Sequence, residues 1–85
     1  MFSVYILKSL KDGRFYIGFT GKLAKRIKEH TSGFVISTKY RRPFKLVYAE
    51  AYAVEEDARH REHNLKLRAK AMKQLLGRIK KSLAT

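Results

Sequence analysis

The chain contains no cysteine, so neither a disulfide nor a thiolate-bound metal can support its fold. That suits a reducing compartment. It has no apolar run of about 18 residues and no charged-then-apolar leader, which speaks against a membrane span or a signal peptide. The expectation is a cytoplasmic protein with no membrane partner. No repeat, linker or low-complexity segment divides its 85 residues, so residues 1–85 read as one small domain with a thin core. Acids are scarce as well: 7 Asp and Glu face 20 Lys and Arg, for a net charge of +13. After Glu62 no acid follows, while Lys66, Arg68, Lys70, Lys73, Arg78, Lys80 and Lys81 do. Such a field draws polyanions, and nucleic acid ranks first as partner, ahead of an anionic membrane or a merely solubilising shell.

Residues 2–8 alternate as a strand, with Phe2, Val4 and Ile6 on one face and Ser3, Tyr5 and Leu7 on the other. Residues 14–20 form a second strand, and Asp12-Gly13 between them is a turn signal. A four-residue loop from Leu10 to Gly13 pairs Tyr5 with Gly18 and Leu7 with Tyr16. The two tyrosines then lie diagonally on one face, about 7–8 Å apart. Gly18 leaves a gap beside them where a ligand could approach. Thr20 can cap a helix over about 22–31, whose buried stripe is Leu23 and Ile27, with Arg26 and His30 one turn apart and leaning over the hairpin. Residues 33–43 read as a loop closed by Arg41-Arg42-Pro43, and Phe44 to Tyr52 as a third strand. A helix starts near Val54 with Glu55, Glu56 and Asp57 in its first turn, where the helix dipole favours acids. A last helix, about 69–83, carries Met72, Leu75, Leu76 and Ile79 at helical spacing; Gly77 weakens it or marks a close contact.

Glu62 falls on a stripe with Val54, Ala58 and Leu65, where a lone carboxylate is costly unless paired or metal-bound. A salt bridge to Arg61, Arg59 or Arg26 is one reading. The other is a hard-metal ligand, since Mg²⁺ takes one or two protein carboxylates and completes its shell with water and phosphate oxygens. Tyr5 and Tyr16 are either packing residues or phenols whose pKa is lowered by Arg26, Lys22, Lys25 or a metal, so that one accepts a proton from water while the other orients it. Arg26 presents a fork that suits two phosphoryl oxygens. His30 is a helix C-terminal cation, a proton shuttle or a phosphate donor. His60 and His63 flank Glu62 without a zinc-type spacing and read as surface residues.

The positions Ser3-Val4-Tyr5, Tyr16-Ile17-Gly18, Arg26, His30 and Glu62, in this order and spacing, resemble the GIY-YIG nuclease family over roughly residues 2–66. The chain is most similar to compact single-domain members, which resemble the N-terminal nuclease half of bacterial excision-repair incision enzymes. The resemblance implies an α+β fold: a small three-stranded antiparallel sheet flanked by helices in the order β-β-α-β-α-α. It also implies a DNA endonuclease dependent on one Mg²⁺ or Mn²⁺ ion, with a place in DNA repair or recombination. Tyr5 and Tyr16 become the tyrosine pair, Arg26 the catalytic arginine and Glu62 the metal ligand, while His30 stands where relatives carry His or Tyr. Ser3 replaces the first glycine. Phe19 stands where the repair enzymes carry a lysine, whose part in activating a phenol is then missing or supplied by Lys22.

The expected chemistry is metal-assisted hydrolysis of a DNA phosphodiester, with Tyr5, Tyr16 or His30 taking the proton from water. Lys22, Lys25, Lys70, Lys73, Arg78, Lys80 and Lys81 are the expected backbone contacts, which position a duplex or branched DNA without reading its sequence. The alternative is a non-catalytic module that binds DNA or RNA on the same scaffold.

Overall fold

A computed structural model describes residues 1–84. Its first element is the hairpin of β1 (Phe2–Ser9) and β2 (Phe15–Thr20). Gly13 turns the chain at φ 73°, a left-handed conformation that glycine adopts without steric cost. The Gly13 N–H donates to the Ser9 carbonyl at 2.9 Å, and the Ser9 N–H to the Arg14 carbonyl at 2.8 Å. The buried Ser9 hydroxyl accepts from the Lys11 and Asp12 N–H groups and donates to the Arg41 carbonyl at 2.6 Å, tying the turn to the distant segment before the third strand. Tyr5 pairs with Gly18 and Leu7 with Tyr16, the register that the loop length predicts.

Strand β3 (Phe44–Tyr52) pairs antiparallel with the other side of β1, so the sheet order is β2-β1-β3. Its register slips between Ile6 and Leu7: Ile6 faces Tyr48 while Leu7 faces Leu46, so Val47 is the extra residue of a bulge. Val47 and Tyr48, neighbours in sequence, both join the same core, which simple alternation forbids.

That core lies on the face of Val4 and Ile6, against Ala58 and Leu65 of α3 (Glu55–Leu67) and Leu75 of α4 (Ala69–Arg78). Burial of each large aliphatic side chain there contributes about 1.5–3 kcal/mol. A polar cluster staples the same face. The Glu50 carboxylate accepts from the Tyr48 hydroxyl at 2.7 Å, the Tyr52 hydroxyl at 3.0 Å and Arg61 Nε of α3 at 2.6 Å. Burial works against that ion, but these bonds outweigh it and hold the Glu50 carboxyl below its ordinary range.

The opposite face, with Tyr5, Leu7 and Tyr16, is covered by α1 (Leu23–Ser32). Gly33 ends α1 at φ 82°, with its N–H on the His30 carbonyl and the Phe34 N–H on the Glu29 carbonyl, a Schellman closure.

Three expectations need correction. Thr20 does not cap α1: its hydroxyl accepts from the Lys22 N–H at 3.0 Å, shaping the approach, and Lys22 itself is the N-cap residue. The segment 33–43 is not loop throughout but contains the short helix α2 (Ile36–Lys39), too brief to show periodicity. The last helix is two pieces, α4 and α5 (Lys80–Ala84), broken at Ile79 so that α5 can turn onto β3, where Lys45 Nζ donates to the Ser82 carbonyl at 3.1 Å. A Cβ at Gly77 would touch nothing within 4 Å, so that glycine weakens the helix ahead of the break and marks no close contact. Among the described residues no helix is long and apolar enough to cross a membrane.

Candidate active site

Alternation along β1 and β2 places the Tyr5 and Tyr16 side chains under α1, and the four-residue spacing in α1 aims Arg26 and His30 at them. The rings form a triangle: Tyr5 and Tyr16 centroids lie 6.4 Å apart, Tyr5 and His30 5.6 Å, Tyr16 and His30 5.0 Å. The gap expected beside Gly18 does not stay open. The Tyr5 ring lies in it, so close that a Cβ on Gly18 would meet Tyr5 Cζ and Oη.

Tyr5 is 0% exposed and His30 1% exposed. Tyr5 Oη and His30 Nε2 are 2.8 Å apart, and His30 Nδ1 and Thr38 Oγ1 of α2 are also 2.8 Å apart. Donor accounting assigns the protons. The Thr38 hydroxyl donates to the Val35 carbonyl, so it accepts from His30 Nδ1–H, which leaves Nε2 to accept from the Tyr5 hydroxyl. The Arg26 guanidinium, which can only donate, lies near enough to the Tyr5 phenol to favour its ionised form. One directional chain therefore runs from Tyr5 through His30 and Thr38 to the Val35 carbonyl. Thr38 carries no sign of this role in the sequence beyond being a polar residue near a loop; the fold of α2 brings it under the imidazole.

The electrostatics follow from burial. Desolvation pushes the Tyr5 phenol up to about 12, against the pull of the neighbouring Arg26 guanidinium. The expected lowering of a phenol pKa by neighbouring cations is thus corrected for Tyr5: loss of water outweighs the guanidinium. Burial first, and then the charge of Arg26, push the His30 imidazole below its usual value, so it is a neutral ring and not a helix-terminal cation. The folded chain resists the proton that the unfolded chain takes up. Stability is therefore present above about pH 6.5 and falls as acid is added through that value. The urea midpoint of the parent should drop between about pH 7 and pH 5.5, and a His30→Asn variant should show a flatter profile. An equally steep profile in both would exclude His30 as the cause.

Tyr16 differs from Tyr5. It is only half-buried, and its hydroxyl makes no hydrogen bond among the described residues. At the start of α1 opens a cleft of about 290 Å³ lined by Phe19, Thr20, Gly21, Lys22, Lys25, Arg26 and Glu29, so that Arg26 connects it to the phenols. Three cations face one acid there, and Arg26 Nη1 lies 3.3 Å from Glu29 Oε1. Phe19, at the position of the missing lysine, stacks on Phe2 and lies under the Arg59 guanidinium, 5.1 Å from its ring centroid.

Glu62 comes from α3, on the other face of the sheet. Its charge nevertheless opposes ionisation of the Tyr5 phenol. It pairs with none of the three arginines the sequence suggests: Arg61 goes to Glu50, Arg59 to Glu55 and Arg26 to Glu29, while Glu62 Oε2 accepts from Lys66 Nζ at 3.1 Å. The Glu62 side chain is 23% exposed and Oε1 is left for another ligand. Among the described residues no group of three or more His, Asp and Glu could hold a metal. A single half-exposed carboxylate fits Mg²⁺ or Mn²⁺, whose remaining positions go to water and phosphate, and does not fit a closed zinc site. Lys70, Lys73, Arg78, Lys80 and Lys81 are exposed, but they ride on α4 and α5, across the sheet from Tyr5, and are not brought together with the cleft.

Tyrosines, an arginine and a histidine thus gather under the first helix of a three-stranded sheet, and residues 1–75 match the family model of the GIY-YIG catalytic domain, a nuclease family. The chain belongs to this family. Its close homologues are UPF0213 proteins, small single-domain members of it. The UPF0213 protein YazA of Bacillus subtilis is 36% identical over 72 residues, covering 84% of this chain and 72% of YazA. The UPF0213 protein CPE1444 of Clostridium perfringens is 45% identical over 64 residues, covering 74% of this chain and 68% of its own. The solution NMR structure of the UPF0213 protein BH0048 from Bacillus halodurans superposes with a TM-score of 0.57 at 39% identity, over 91% of this chain and 84% of that one. The α+β fold with its three-stranded antiparallel sheet is thereby shared with a solved relative.

Proposed function

We propose that this chain is a divalent-metal-dependent endonuclease that hydrolyses DNA phosphodiester bonds, with a repair or recombination substrate such as a flap or branch. The observation that carries the reading is the convergence of Tyr5, Tyr16 and His30 under α1, where Arg26 bears on the phenols and also lines a cation-rich cleft, with the Glu62 charge bearing on Tyr5 as well. Pure binding has no need of Glu62, which repels phosphate by itself.

Arg26 offsets the negative charge that develops at phosphorus, and Lys22 and Lys25 hold the strand against the cleft. Tyr16 is the phenol with an open hydroxyl, and it orients or deprotonates the attacking water. Tyr5 stays protonated, its hydroxyl donating a hydrogen bond to His30. A divalent ion held by Glu62, when bound, supplies Lewis-acid charge at a phosphate oxygen.

Labelled duplex, flap and single-stranded DNA and RNA incubated with the protein test this directly. Cleavage of at least one DNA substrate is expected with Mg²⁺ or Mn²⁺, and none with EDTA. Tight, salt-sensitive binding with no cleavage under any condition would instead establish the non-catalytic module.

A further inference from the structure

A second cavity, of about 480 Å³, opens at the far end of α1 and is lined by Lys11, Thr31, Lys39, Tyr40, Arg42, Pro43 and Phe44. Three cations and two aromatic rings border it and no carboxylate does. Arg42 is not a loose surface cation. Its Nε donates to the Lys39 carbonyl at 2.9 Å and its Nη1 to the Thr31 carbonyl at 3.2 Å, at the ends of α2 and α1. The guanidinium also lies over Gly33, where a Cβ would come within 2.8 Å of Cζ. Its charge is thus pre-positioned, with Nη2 left for a ligand. Lys11 Nζ bonds the Tyr40 carbonyl at 3.1 Å and keeps two further donors. Tyr40 is 75% exposed, with Lys39 Nζ 5.5 Å from its ring centroid.

A ring that costs apolar exposure to water, set beside fixed cations, matches a planar base linked to a phosphate. We propose that this cavity seats one nucleotide of an unpaired strand, its base on Tyr40 and its phosphate among Lys11, Lys39 and Arg42. The inference rests on the nuclease reading and adds the substrate form. From Arg26 to Thr31 is ~7.5 Å along α1, about two base steps of stacked nucleic acid. A strand cut at the first cleft reaches the second cavity within a few nucleotides, as a flap or a frayed end would.

The test is fluorescence anisotropy of a labelled short oligothymidylate and of a duplex of equal length, in EDTA so that nothing is cut. Tyr40→Ala and Lys39→Ala, both at exposed positions, should each weaken single-strand binding on the order of tenfold, the scale of one base–aromatic stack. Duplex binding should change less than about twofold, because paired bases cannot reach the ring. Amide shifts at residues 39–44 should move on addition of the oligonucleotide. Parent-like single-strand binding by both variants overturns the proposal, as does an equal loss for duplex. Competition by thymidine monophosphate identifies the cavity as a nucleotide site in its own right; no competition, with Tyr40→Ala still weakened, ties it to the strand. The two readings separate cleanly. Cleavage that needs Arg26 while Tyr40→Ala binds as the parent removes only this subsite, whereas selective loss in Tyr40→Ala without cleavage by any form removes only the nuclease.

Discussion

Alanine at Gly18 should destabilise the domain by about 1–3 kcal/mol and disconnect its buried hydrogen-bond chain. The added Cβ would overlap Tyr5 Cζ and Oη and stand 2.8 Å from Cε1, atoms of a rigid phenol and not the free end of a flexible chain. Tyr5 is wholly buried and held by His30, so it cannot swing aside without leaving the imidazole Nε2 unbonded. An orphaned buried acceptor adds about 1–3 kcal/mol of its own. For a domain of this size each kcal/mol lowers Tm by roughly 4–8 °C. Thermal and urea unfolding of Gly18→Ala should show that loss, and much of it should vanish in a Tyr5→Leu background, where the ring is gone. Parent-like unfolding of Gly18→Ala, or the same cost in both backgrounds, would remove the close approach as an explanation.

Arg26→Ala and Glu62→Gln should each abolish most cleavage while leaving a folded protein. Removing one charge stabiliser of the transition state costs on the order of 10²–10³ in rate. Loss of a metal ligand forfeits several kcal/mol of charge stabilisation, on the order of a thousandfold. The two differ in binding. Arg26 borders the cleft, so its loss weakens DNA binding; Glu62→Gln deletes a negative charge, so binding in EDTA is unchanged or tighter. Glu62→Gln carries a further signature, because the Tyr5 phenol loses an anion that opposes its ionisation and titrates lower than in the parent. Both substitutions occur at half-exposed positions with one ion-pair partner each, and exposed pairs contribute little to stability. Unaltered cleavage by either variant would remove that residue from the site.

Local rules reached far in this chain. Alternation and an even loop place the tyrosine pair on one face and set the register, because a hairpin of this kind has few other closures. Helical spacing aims Arg26 and His30 at that face. Other features depend on contacts between segments remote in sequence. Thr38 reaches His30 only because a four-residue helix, too short for a periodic signal, folds beneath it. Glu50 looks like one more polar residue of an alternating strand until Arg61 of α3 and the flanking phenols close on it. The bulge at Val47 breaks the period-two count that a strand prediction assumes.

The order of residue types along the backbone determined how β1 pairs with β2, which helix leans over the phenols and the net positive charge of the chain. Protonation was decided elsewhere. Whether Tyr5 ionises, whether His30 carries charge and which carboxylate finds which cation all depend on how much water three-dimensional packing removes, and desolvation is a property of the assembled volume, with no counterpart in linear spacing.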